Sequence, residues 1–220
     1  MHMHFLNLFI VYFTLFITAL FVGIVGNTIG IGGGILLVPF FIFYMHLSPL
    51  ESSGLSLFTI MLSTTGGSYI FYKDKTIDLN LYLMILLPAL FGIIIGSVLS
   101  RYILTNQFKW VLSFIIIGIG IGGITGTFLT AVEQIPPRIA FSTIISIMAI
   151  ISLIGGLIHF YYIKNPLHMA IYIIPLGAGA LTGSKIGAFI SKNSKAKTLR
   201  IYQGTFIILL GILMLALSAL

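Results

Sequence analysis

Apolar runs broken by short polar gaps make up nearly the whole chain. A membrane-spanning helix needs about 20 apolar residues, and the sequence predicts seven full-length spans. Six of them lie at about 5–28, 52–72, 79–100, 139–163, 167–190 and 200–220. The seventh begins at about 109 and runs into a glycine-rich stretch at 118–126. Because no Lys or Arg precedes the first run and no small-residue cleavage pattern ends it, we expect a retained span rather than a signal peptide.

Two further apolar pieces are too short to cross a bilayer. The first, at about 33–47, begins with glycines and contains Pro39, and the second ends near 132. Short pieces interrupted by glycine or proline are typical of discontinuous or re-entrant membrane helices. The pattern therefore predicts an all-α, polytopic membrane protein with two broken or re-entrant segments.

The interruptions recur in the same order, which indicates two tandem repeats within one transmembrane domain, 1–220. Gly30 and Gly120 open two glycine-rich stretches 90 residues apart, and Pro88 and Pro175 lie 87 residues apart inside long runs. Repeat 1 covers about 5–117 and repeat 2 about 118–220. Matching interruptions in two halves are typical of transporters that bind their solute at the repeat interface. Coincidence in an apolar, low-complexity sequence is the alternative.

The composition disfavours most other classes of protein. Hydrophobic residues make up 59% of the 220 residues and charged residues only 7%, whereas about a quarter of a soluble domain is charged. A soluble enzyme, a nucleic-acid-binding domain and a disordered chain are all disfavoured. The chain has no cysteine, which removes disulfides and thiolate chemistry.

The basic residues bear on orientation in the cell membrane. Eleven Lys and Arg against four acids give a net charge of +7, and the bases fall mainly in the short gaps, as expected of loops that face an anionic cytoplasmic leaflet. If the short pieces are re-entrant, the loops 101–109 and 191–200 lie on opposite sides and the second is cytoplasmic. If both pieces cross fully, the two loops share a side. Charge alone does not choose between these topologies.

Gly30-Ile31-Gly32-Gly33-Gly34 is the sharpest candidate site. Successive glycines let the backbone turn and expose N–H groups at the start of the next helix, where free donors and the helix dipole attract an anion. Asn27 just before it is positioned to add a polar contact. Close helix packing is the alternative reading, since glycine is common at membrane helix interfaces.

Two hydroxyl stripes offer further neutral donors. Ser56 and Ser63 share one helix face, and Ser142 with the neighbouring Thr143 forms a narrower counterpart in the second half. Hydrogen bonds within and between helices are the alternative use of such hydroxyls. Lys185 is the most inward charge of the later spans and hence a candidate, although its head group is close enough to the helix end to reach the interface instead.

The groups that are missing from the sequence also narrow the function. No acidic residue lies at the centre of a predicted span, which disfavours a cation pump or a carboxylate proton relay. Paired carboxylates and metal-binding histidine clusters are also absent. We therefore expect neither an enzyme nor a bound cofactor or metal.

At Gly30–Gly34 followed by Ile35-Leu36-Leu37-Val38-Pro39, the sequence resembles the sulfite exporter TauE/SafE family of membrane transporters. Further resemblances lie at Ser52–Leu57, at Ala140–Ile145, and at the two glycine motifs that end in Gly96-Ser97 and Gly183-Ser184. The second glycine box is degraded, with Ile124 where a third glycine is expected, and the chain is short for the family near 118–136. The resemblance implies transport of sulfite, sulfonates or related sulfur-containing anions, often as export.

Together these patterns predict a transporter that carries a small sulfur-containing anion by alternating access at the repeat interface. The expected partners are the anion and the lipid bilayer, with no nucleic acid, and a homo-oligomer is left open. A passive anion channel of the same architecture and a non-transporting membrane assembly subunit are the alternatives. The predicted substrate contacts are Asn27, Gly30, Gly32, Gly33, Gly34, Ser56, Ser63, Ser142, Thr143 and Lys185.

Overall fold

The chain is built from helices joined by short turns. The computed structural model describes residues 2–29, 33–103, 105–125, 136–164, 166–193 and 196–218, and no strand occurs in these stretches. The described helices are α1 His2–Ile29, α2 Gly34–Phe43, α3 Pro49–Lys73, α4 Leu79–Ser100, α5 Thr105–Thr125, α6 Pro137–Tyr162, α7 Pro166–Asn193 and α8 Ala196–Ser218.

Four segments are long and apolar enough to cross a membrane on length and composition alone. They are Leu8–Thr28, Leu79–Ser100, Arg138–Tyr162 and Met169–Asn193. Over their described side chains, α5 and α8 qualify only as shorter apolar helices. The 25 residues of α3 make about 37 Å of helix, but hydroxyls and glycines lower its hydropathy. The all-α, polytopic membrane architecture predicted from the sequence is confirmed.

Helix α3 is polar because it lies among other helices rather than against lipid. It packs on α2, α6 and α7, and its buried residues include many small and hydroxyl side chains. Those residues are Ser52, Gly54, Ser56, Thr59, Ser63, Thr64 and Gly67. Its start is fixed by a capping box, in which Glu51 and Ser48 bond to each other's backbone N–H groups.

Helices α1 and α7 run side by side in the same direction at very short range. Gly179, Gly183 and Gly187, four residues apart, face the backbone of Phe16, Leu20 and Ile24 in that order. A Cβ atom on any of the three glycines would collide with a carbonyl oxygen of α1. Small residues therefore allow close packing of membrane helices here.

The chain reverses between α1 and α2. Gly33 has a φ of 82°, a left-handed conformation that favours glycine, and it lies beside Val22. From there α2 returns along α1, so that Phe40 and Tyr44 come to lie beside Val11 and Thr14. The first short segment thus turns back towards the end from which α1 starts, as predicted for a re-entrant piece.

The two ends of the helix bundle carry different sets of charged residues. At one, which we call the Arg101 end, the Arg101 guanidinium stacks over the ring of Tyr162, 4.7 Å from its centroid. At the other, the Asp74 end, Arg138 and Lys192 both pair with Asp74 at 3.0 Å. The loops after α4 and α7 therefore lie at opposite ends of the bundle. Of the two topologies that the sequence left open, this is the one expected for re-entrant short segments.

The helices paired by the proposed repeat run in opposite directions. α3 and α6 are antiparallel, since Gly54 lies near His159 and Gly67 lies near Ile145. α4 leads from the Asp74 end to the Arg101 end, and α7 leads back. Opposite directions are what an inverted repeat requires, and the repeat itself stays a prediction.

The second glycine box differs from the first. Helix α5 continues through Gly120–Ile124 to Thr125, whereas the first box contains the reversal at Gly33. A helix satisfies its own backbone hydrogen bonds within an apolar setting, so isolated glycines need not break it. The short piece predicted to end near 132 lies outside the described residues.

Candidate functional site

The start of α2 places the first backbone N–H groups of this helix beside α3. The N–H groups of Leu36 and Leu37 bond to the carbonyl oxygen of Gly33 at 3.1 and 3.3 Å. The N–H groups of Gly34 and Ile35 lie in the first turn, where a helix supplies no acceptor. The dipole of α2 adds a partial positive charge at this point.

The hydroxyl of Ser56 lies next to these amides. A Cβ atom on Gly34 would stand 3.6 Å from Ser56 Oγ. Ser56 is 1% exposed, and its Oγ has no hydrogen-bond partner among the described residues. Buried polar groups are nearly always paired, so this hydroxyl is available to a ligand or to water.

A cavity of about 320 Å³ connects this point to the Arg101 end. Its wall includes Gly34 and Ile35 from α2, Ser56 from α3, Ser97 and Ser100 from α4, and His159 from α6. Helix α5 contributes Phe108 and Leu112, and the remaining surface is mostly apolar. A small oxyanion fits such a space together with water.

Helix α4 supplies a second unpaired hydroxyl to the same cavity. Ser97 is 1% exposed, and its Oγ has no partner among the described residues. Ser100, one turn further on, bonds to the Ser97 carbonyl oxygen at 2.8 Å and lies 3.1 Å from His159 Nε2. Both of the unpaired buried hydroxyls found in the described part of the chain, Ser56 and Ser97, therefore line one cavity.

Two cations flank the Arg101 end of the cavity. Arg101 follows Ser100 in the chain, and Lys109 follows Phe108. The Arg101 guanidinium lies over the rings of Tyr102 and Tyr162, and the Tyr102 hydroxyl accepts a hydrogen bond from it. That hydrogen bond raises the pKa of Arg101 above its ordinary value. Both cations favour the approach of an anion from this end.

Asn27, a predicted anion contact, fastens α1 to α3 instead. Its Nδ2 donates to the Gly23 carbonyl oxygen at 3.0 Å and to Ser63 Oγ at 2.8 Å. Its Oδ1 has no partner among the described residues and packs against Gly67. Because both donor hydrogens are used, Asn27 presents an acceptor, which an anion does not seek. Ser63 lies seven residues beyond Ser56, about 10 Å along α3.

Ser142 and Thr143 lie at the Asp74 end. Ser142 Oγ is 2.5 Å from the carbonyl oxygen of Thr76, and Thr143 Oγ1 accepts a hydrogen bond from the Asp78 N–H at 3.0 Å. These hydroxyls fix the turn between α3 and α4. Ser142 and Thr143 therefore form hydrogen bonds between a helix and a turn, which is the alternative role considered for such hydroxyls.

The remaining predicted contacts are not brought to the cavity. Lys185 lies on the exposed side of α7, and Gly30 and Gly32 lie outside the described residues. Gly33 makes the turn into α2. Of the predicted set, Gly34 and Ser56 line the cavity.

Sequence reasoning missed the contribution of α4 and α6. Ser97 was noticed only as part of a glycine motif, and His159 was not among the predicted contacts. Ser100, four residues after Gly96, was not considered. The available signal was the Gly96-Ser97 pair, which the sequence repeats at Gly183-Ser184.

Comparisons with known proteins agree with the multi-pass membrane architecture and show a similarity to membrane transporters. The model of the sulfite exporter TauE/SafE family matches residues 15–121. A relative from Bacillus subtilis (strain 168), "Probable membrane transporter protein YunE", is 23% identical over 261 residues, covering 90% of this chain and 94% of the relative. No solved structure matches.

The proteins to which the chain is similar are membrane transporters, not enzymes. The resemblance to the TauE/SafE family that was stated from the glycine motif is confirmed, and the matched residues include that motif. The alignment with the relative, 261 positions, is longer than the 220 residues of this chain. The relative therefore has segments that this chain lacks.

Proposed function

We propose that this transporter carries a small sulfur-containing anion, sulfite or an organosulfonate, and binds it in the cavity between α2, α3 and α4. The observation that carries the proposal is that two buried hydroxyls without a described partner, Ser56 Oγ and Ser97 Oγ, line one cavity together with the first turn of α2. The TauE/SafE resemblance supplies the substrate class.

The chemistry of the cavity suits an anion that must also be released. Helix N-termini and neutral hydroxyls bind oxyanions without a fixed positive charge, so the bound state is not excessively stable. Among the described residues that line the cavity, none is acidic. The flanking Arg101 and Lys109 raise the local concentration of anions at its Arg101 end.

The two ends of the molecule support transport by alternating access. The cavity leads towards the Arg101 end, while the Asp74 end is tied together by Asp74, Arg138 and Lys192. The excess of basic residues at the Asp74 end favours a cytoplasmic location for it. With the Asp74 end inside the cell, export would load the anion from the Asp74 end and release it at the Arg101 end.

Flux through proteoliposomes tests the site. We expect Ser56→Ala to lower saturable sulfite or methanesulfonate flux by about tenfold or more, since a hydrogen bond to an ion contributes roughly 1.5–3 kcal/mol. Its melting temperature should stay close to that of the unsubstituted protein, because Ser56 Oγ bonds to no other described group. Flux is followed with radiolabelled anion.

Ser68→Ala is the matched control on the same helix. Ser68 Oγ already bonds to the Thr64 carbonyl oxygen at 2.6 Å, so its loss should leave flux unchanged. Equal flux in Ser56→Ala and Ser68→Ala would refute the site. Countertransport separates a transporter from a channel, because only the transporter shows stimulation by anion on the opposite side of the membrane.

A further inference from the structure

We propose that the cavity binds a proton together with the anion, at Nε2 of His159. The proposal rests on the proposed function, since it concerns the same cavity, and it adds a coupling ion to it. The basis of the proposal is the number of hydrogen atoms that His159 and Ser100 can donate, compared with the number of hydrogen-bond contacts that these two residues make.

One ring nitrogen of His159 has a fixed role. His159 is 2% exposed, and its Nδ1 lies 2.8 Å from the carbonyl oxygen of Gly155, one turn back on α6. A carbonyl oxygen only accepts hydrogen bonds, so Nδ1 carries the hydrogen. In the neutral ring, Nε2 is then an acceptor without a hydrogen.

The other ring nitrogen shares a single hydrogen with a backbone acceptor. Ser100 Oγ is 3.1 Å from His159 Nε2 and 2.8 Å from the Ser97 carbonyl oxygen. The Ser100 hydroxyl has one hydrogen to donate. With a neutral ring, it serves either Nε2 or Ser97, and one of the two contacts has no hydrogen.

A proton on Nε2 completes the chain. The charged ring donates through Nδ1 to Gly155 and through Nε2 to Ser100 Oγ, and Ser100 then donates to Ser97. Every contact has its hydrogen in this state. The arrangement therefore matches a protonated ring better than a neutral one.

The charge of such a ring needs a partner. A cation buried at this depth is costly without a counter-ion. On α3, which packs against His159 at Gly54, Glu51 bonds to Ser48 Oγ at 2.7 Å. On the other sides, the Arg101 guanidinium after α4 lies over the ring of Tyr162 from α6, and Lys109 of α5 lies over Phe43.

An anion beside Ser97 would be that counter-ion. Ser97 supplies both its unpaired Oγ to the cavity and its carbonyl oxygen to the proton-binding chain. Anion and proton then favour each other's binding, and by thermodynamic linkage the effect is mutual. The solute would move with a proton that offsets one unit of its negative charge.

The test uses methanesulfonate, which stays ionised throughout the range in which histidine titrates, so that only the protein changes charge. Binding to the purified protein is measured by calorimetry between about pH 5.5 and about pH 8. We expect the affinity to fall with rising pH, by at most about tenfold per unit for one linked proton. In proteoliposomes, a trapped pH dye should report proton movement with methanesulfonate flux.

His159→Gln should bind methanesulfonate with the same affinity at all these pH values and should move no protons with it. His46→Asn is the control, since His46 is exposed in the loop after α2, has a φ of 54°, and asparagine tolerates that conformation. It should keep the full pH response. Ser100→Ala removes the acceptor for the protonated Nε2, so its pH response should move to lower pH.

The outcomes separate the two proposals. If Ser56→Ala loses methanesulfonate binding while His159→Gln keeps the pH dependence of the unsubstituted protein, the anion site stands and the proton site is wrong. If methanesulfonate and sulfite bind to the unsubstituted protein at none of these pH values, the proposed function fails, and the proton site with it. A pH response that disappears only in His159→Gln supports both.

Discussion

The same glycine-serine motif has opposite surroundings in α4 and α7. In α7, Gly183 lies against the backbone of α1, and Ser184 Oγ bonds to the Leu181 carbonyl oxygen at 2.9 Å. In α4, no described atom of another helix lies within 4 Å of the place where a Cβ on Gly96 would stand, and Ser97 Oγ has no partner among the described residues. The motif in α7 is covered by α1, and the motif in α4 faces the cavity.

The contrast answers a question that the sequence left open, whether glycine-rich segments of this chain serve packing or binding. They do both, and the difference is made by the presence of a neighbouring helix. Where α1 covers the motif, small residues allow two backbones to approach. Where the motif is uncovered, the same small residues leave room at the wall of the proposed site.

The largest expected effect is a difference in stability between alanine variants of Gly183 and Gly96. Gly183→Ala places a methyl group against the Leu20 carbonyl oxygen and the Ile24 nitrogen of α1, which are backbone atoms that cannot move aside. We expect a loss of about 1–3 kcal/mol of stability, as for overpacked sites, seen as a lower melting temperature in detergent. Gly96→Ala is the control and should melt no lower than the unsubstituted protein, because no described atom of another helix lies within 4 Å of its methyl group. Equal melting temperatures for the two variants would contradict the contrast.

A second comparison concerns the effects of Ser97 and Ser184 on the affinity for the transported anion. Ser97→Ala removes an unpaired donor from the cavity, so we expect sulfite or methanesulfonate affinity to fall by about tenfold, the equivalent of one hydrogen bond to an ion. Its stability should hold, since the hydroxyl has no described partner to lose. Ser184→Ala should leave affinity unchanged, because its hydroxyl is already bonded within α7. A loss of affinity in Ser184→Ala alone would place the site on the other side of the bundle.

The smallest expected effect concerns the ion pairs that join the end of α7 and the start of α6 to Asp74, just after α3. Lys192 near the end of α7 donates a hydrogen bond to Asp74, and that bond, with the charges of Lys192 and Arg138, holds the pKa of Asp74 below its ordinary value of 3.8. A carboxyl group with a lowered pKa adds stability above its ordinary pKa, and the addition is lost as the pH falls through the lowered value. We therefore expect the melting temperature to fall slightly more steeply below about pH 4 in the unsubstituted protein than in Asp74→Asn. Parallel curves would show that the cluster adds no stability.

Much of the fold could be predicted because membrane constraints act locally. The length of each apolar run, the polar gaps and the glycine run that ends in the reversal at Gly33 all depend on neighbours in the sequence. The glycines of the second box did not break α5, since whether a glycine breaks a helix depends on what surrounds it.

The candidate site was only partly predictable because a hydroxyl has many uses. Ser56 and Ser142 look alike in the sequence, yet Ser56 faces a cavity while Ser142 bonds to Thr76. Asn27 was expected to add a polar contact to an anion, and its hydrogens are used by Gly23 and Ser63. Which partner takes a hydrogen bond is decided by the packing of distant helices, and no local pattern records it.

The position of a bound anion tests the central claim most directly. Selenate is a heavier oxyanion of the same shape as sulfate, and its selenium gives an anomalous diffraction signal. In crystals soaked with selenate, we expect one strong peak in the cavity, within hydrogen-bonding reach of Ser56 Oγ, Ser97 Oγ and the first amides of α2. Peaks only beside surface bases such as Arg138 and Lys192, with none in the cavity, would contradict the account.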